Sequence, residues 1–71
     1  IFTDLTFVPI LEKIAAELPA LEGVVVLTDR AHMPATSLAN ALCFEELVAA
    51  EDDDFAWVRV DENDACGLCY T

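Results

Sequence analysis

Positive charge is scarce in this sequence. Three Lys and Arg stand against fourteen Asp and Glu, a formal net charge of −11. Such a surface repels nucleic acid and anionic membrane, so neither is an expected partner. No basic start precedes an apolar run, so nothing reads as a secretory leader. No apolar stretch approaches the ~20 residues that span a bilayer. Cysteines number three, an odd count that does not describe a secreted disulfide framework. A reducing, cytoplasmic setting is the expectation. The acids crowd the final third as Asp52, Asp53, Asp54, Asp61, Glu62 and Asp64. They lack the one-three-five spacing and central Gly of a calcium loop, so a solvated loop is expected and no metal site.

What is present is apolar. Hydrophobic residues make up 56% of the 71 positions. A chain of this length buries only about 60% of the surface that its unfolded form exposes. Much of that apolar surface has no place to hide within 71 residues. The first residue is Ile rather than Met, and it opens on an apolar pair. The expectation is one segment, residues 1–71, of a larger domain with no complete boundary inside it.

Along the chain, Ile1 and Phe2 read as the tail of a strand. Thr3–Thr6 is a polar turn, with Thr6 as the expected helix N-cap. Phe7, Ile10, Leu11, Ile14 and Leu18 recur at spacings of three and four, which predicts one buried helical face. Pro9 sits in the first turn, and Pro19 closes the helix at about Leu18. Val24–Leu27 is a continuous run of the kind found in parallel strands covered on both faces. Strand, helix and strand with short joins predict a βαβ unit. Residues 30–37 read as loop, and 38–43 as loop or an early helical turn. Phe44–Ala50 predicts a short helix with Phe44, Leu47 and Val48 on one side, ended by the Asp52–Asp54 run. Phe55 and Trp57 read as anchors onto a larger body. Ala65–Tyr70 reads as a final strand behind the acidic turn Asp61–Asp64. The fold class expected is therefore α/β: a βαβ unit with parallel strands, a short second helix and a C-terminal strand.

Cys66 and Cys69 form a C-x-x-C pair. Zinc would need further ligands, and the candidates are Cys43 and His32 in the uncertain middle region. Thiol redox chemistry needs a helix N-terminus to lower the thiol pKa, and nothing helical follows Cys69. On a strand, residues an odd number apart point to opposite faces, so these two sulfurs could not share a metal or close a disulfide. Buried, structural cysteines are the expectation.

The order of segments then becomes informative. It runs "DLTFVPILEKIAAELPALE", "GVVVLTD", "FEELVAAE", "FAW", "DENDA" and "GLCYT". This resembles the adenylate-forming superfamily, and within it the AMP-forming acyl-CoA synthetases that act on fatty acids. The resemblance covers essentially the whole chain. In that family a strand ending in Tyr-Thr leads into a Ser-Gly-Thr-Thr-Gly loop, followed by Pro-Lys-Gly, that grips the phosphates of ATP. It implies that residues 1–71 belong to the large N-terminal AMP-binding domain. It also implies ATP, Mg2+ and coenzyme A for the parent enzyme, and a carboxylic acid as substrate. The rest of the enzyme would be the packing partner. Of the family's functional residues only Thr71 is carried over, as the first residue of the phosphate-loop motif. No catalytic residue and no metal ligand is expected in this stretch. Cys66 departs from the small residue, such as Ala, that is common at its position. The competing readings are a free-standing acidic interaction module using Phe55 and Trp57, and a small thiol or zinc protein.

Overall fold

The computed structural model describes residues 1–70. Three short strands form one sheet in the order β1 (Phe2–Thr3), β2 (Val24–Val26), β3 (Ala41–Cys43). Both pairings are parallel, with Phe2 opposite Val25 and Val25 opposite Leu42. The α/β class and the parallel sheet expected from the Val run are present.

The first crossover is helical from Leu5 to Glu17 in three pieces. A 3-10 turn (Leu5–Phe7) leads into α1 (Val8–Ile14), and a second 3-10 turn (Ala15–Glu17) follows. Pro9 sits in the first turn of α1, where its missing N–H costs nothing, and the segment stops before Pro19. The cap differs from expectation. The Asp4 carboxylate accepts from the Thr6 backbone N–H at 2.8 Å and from its hydroxyl, so Thr6 is the donor. These bonds hold the Asp4 carboxyl below the usual aspartate range.

The buried face of α1 is also rotated from the predicted one. Val8 and Leu11 face the sheet with Ala15 packed beside them, while Phe7, Ile10 and Ile14 are exposed. The core joins Val8, Leu11, Val24, Val26 and Leu38. Val24 and Val26 are completely buried. Since side chains alternate along a strand, Val25 looks the other way. It shares that outer face with its register partners Phe2 and Leu42, which are 69% and 44% exposed. The sheet is thus covered on one face only by the described residues, although the run Val24–Leu27 predicts cover on both.

Strand β3 lies where a loop or a helical turn is the expectation. Three residues carry too little pattern to announce a strand; pairing with β2 makes it one. Asn40 sets up that pairing from a left-handed backbone (φ 54°), a conformation that Asn tolerates better than most residues. Its carbonyl accepts from Val24 N–H at 3.2 Å and its side-chain amide donates to the Glu22 carbonyl at 3.0 Å. The close approach also explains Gly23, where a Cβ would meet the Asn40 oxygen at 3.3 Å. Helix α2 (Phe44–Ala49) begins at the predicted residue and ends just before the acidic run. Its expected apolar side is not buried: Leu47 and Val48 remain exposed.

The C-terminal strand expected over Ala65–Tyr70 does not form. Residues 65–70 have no regular structure and are exposed. A strand exists only against a neighbour, and among the described residues neither sheet edge is paired with this segment. The acidic turn does form: the Asp61 carboxylate accepts from the Asn63 backbone N–H and side-chain amide, each at 2.8 Å.

Candidate functional site at the carboxyl edge of the sheet

Parallel strands bring all their carboxyl ends to one edge, and in open α/β sheets that edge is where ligands bind. Here it collects Asp4 after β1, Leu27–Asp29 after β2 and Phe44 after β3. A groove of about 680 Å³ lies between the last two, lined by Leu27, Thr28, Asp29, Phe44 and Glu45.

The Thr28 carbonyl is the node of this edge. It accepts from Glu45 N–H at 3.2 Å and from the Cys43 thiol at 3.1 Å, which ties the end of β2 to the junction of β3 and α2. A carbonyl has two lone pairs, so this acceptor is fully used. Asp29 caps the next turn, Arg30–His32. Its Oδ1 accepts from His32 N–H at 2.9 Å and lies 2.7 Å from His32 Nδ1. The His32 ring and then its backbone N–H hold the Asp29 carboxyl below the usual range. Arg30 Nε donates to Glu46 Oε1 at 2.7 Å.

The electrostatics follow. The groove is lined by the acidic residues Asp29 and Glu45, and Arg30 pairs through Nε with Glu46. An anionic phosphate would be repelled there. The groove as lined by these residues therefore offers acceptors to a donor. Helix α2, with six residues, supplies no anion-binding terminus of its own.

The sequence-derived candidates fall in separate places. Thr71 lies outside the described residues. Cys43 is buried on β3, while His32 is exposed on the turn after β2. Cys66 and Cys69 are free and exposed. No strand forms over 65–70 to hold these two sulfurs on opposite faces. Among the described residues no three His, Cys, Asp or Glu side chains gather as a metal site. Phe55 and Trp57 pack edge to face, ring centres 5.0 Å apart, and both are exposed. The residues that organise the edge, Thr28, Cys43 and Glu45, were not legible as a set. The one available signal was the Asp29–His32 spacing, the spacing of an N-capping acceptor and the backbone N–H that donates to it.

Comparison with known proteins bears on the whole chain. It is 32% identical over all 71 residues to a medium-chain-fatty-acid–CoA ligase of Ectopseudomonas oleovorans. It is 35% identical over the same length to a 3-methylmercaptopropionyl-CoA ligase of Ruegeria pomeroyi, and 32% to one of Ruegeria lacuscaerulensis. All three relatives are CoA ligases, and the chain aligns to each of them from end to end. The family resemblance drawn from segment order and the relatives found by alignment agree. As an acyl-CoA ligase homologue the chain spans only 13% of the length of each of these relatives. No protein-family profile matches it, and no solved structure does. No helix among the described residues is long and apolar enough to cross a membrane.

Proposed function

We propose that residues 1–71 are an internal, structural stretch of the large N-terminal AMP-binding domain of an ATP-dependent acyl-CoA ligase. The observation that carries this is the alignment of the entire chain to three CoA ligases, each covered over 13% of its length. The unfinished surface supports it. The molecule exposes 6399 Å², against about 4,300 Å² for a compact monomer of its mass. The outer sheet face (Phe2, Val25, Leu42) and the outer stripe of α1 (Phe7, Ile10, Ile14) are apolar and without a covering layer among the described residues. Parallel sheets are ordinarily covered on both faces.

In the parent enzyme the carboxylate of an acid, a fatty acid in this reading, attacks the α-phosphate of ATP. The products are an acyl-adenylate and pyrophosphate. The thiol of coenzyme A then attacks the acyl carbon and releases AMP. This stretch takes no chemical part. Its role is to build the sheet and to lead through residues 65–70 toward the phosphate-gripping loop, with Thr71 as that loop's first residue. In this reading any magnesium of the parent is held by residues outside this stretch.

The test has two arms. The isolated 71-residue chain should give no acid-dependent exchange of pyrophosphate into ATP; robust exchange would overturn its structural role. Coding sequence read beyond Thr71 should specify Ser-Gly-Thr-Thr-Gly. A stop codon there, with an in-frame start upstream, would favour the acidic interaction module.

A further inference from the structure

We draw no further inference here: the strongest candidate, the groove at the carboxyl edge of the sheet between Leu27–Asp29 and Phe44–Glu45 with the Asp29–His32 pair beside it, belongs to the site already described, and nothing among the described residues shows what fills it.

Discussion

Residues 1–50 and residues 51–70 are both rich in large apolar side chains, yet only the first group builds anything. In the first, Val24 and Val26 vanish from solvent beneath Val8 and Leu11. In the second, Trp57, Val58, Val60, Leu68 and Tyr70 are each more than three-quarters exposed. Composition does not separate them; hydrogen-bonded partners do. The first region has a parallel ladder whose backbone groups are paired, and a helix to lay across it. The second has two Asx turns, at Asp52 and Asp61, and one aromatic pair. Apolar residues become a core only where a satisfied backbone already presents them on one side. The radius of gyration, 15.2 Å against about 11 Å for a compact chain of this length, carries the mark of the second region.

The contrast can be broken most severely at the centre of the first region. Val26→Asp places an unpaired carboxylate where nothing is exposed, and should cost about 4 kcal/mol or more. Circular dichroism should then show loss of the helical signal from 1–50. A smaller test is Asn40→Ala, which removes an amide bond to Glu22 and leaves a left-handed backbone to a residue that disfavours it. About 1–2 kcal/mol should be lost in urea titration, and Asn40→Gly should recover part of it.

Smaller still is the clasp between α1 and the loop before β3. Glu12 Oε1 accepts from the Thr36 hydroxyl at 2.7 Å and from Ser37 N–H at 3.1 Å. The Thr36 hydroxyl, then the Ser37 N–H, lowers the Glu12 pKa. A carboxyl lowered in the folded state adds stability that is present above its unfolded pKa. That stability is lost as pH falls through the folded value. The Ser37 amide resonance should therefore titrate with a midpoint below that of an ordinary glutamate, and Glu12→Gln should abolish the titration. The smallest effect belongs to the tail. Val58→Asp, the same kind of change as at Val26, should move stability by no more than about 0.5 kcal/mol. Amide exchange over 51–70 should be nearly unprotected outside the Asp52 and Asp61 turns. Slow exchange across 65–70 would show that the two regions are not so different.

The uneven legibility of the sequence has the same cause. Val24–Val26, the start of α2 at Phe44 and the stop before Pro19 could be read because they depend on local pattern: β-branching, an apolar spacing of three and four, and a proline that cannot continue a helix. The face of α1 could not. Phe7, Ile10, Ile14 and Val8, Leu11, Ala15 are both helical stripes, and only the approach to the sheet chooses between them. Strand β3 was invisible because Ala41–Cys43 owes its conformation to β2. Ala65–Tyr70 was over-read for the mirror-image reason, since it has strand-like residues and no neighbour. The site edge was half legible. Thr28–Asp29 marked the strand end, but the Cys43 thiol reached its carbonyl through pairing that no spacing records.

The bare row Phe2–Val25–Leu42 has a consequence for the molecule as a colloid. At neutral pH a net charge of −11 keeps these greasy faces from meeting copies of themselves. Acidification toward the isoelectric point near 4.1 removes that repulsion and leaves the oily stripe intact. Light scattering should then rise steeply over a narrow span of acid, and added salt should bring the onset to higher pH by thinning the same electrostatic cushion.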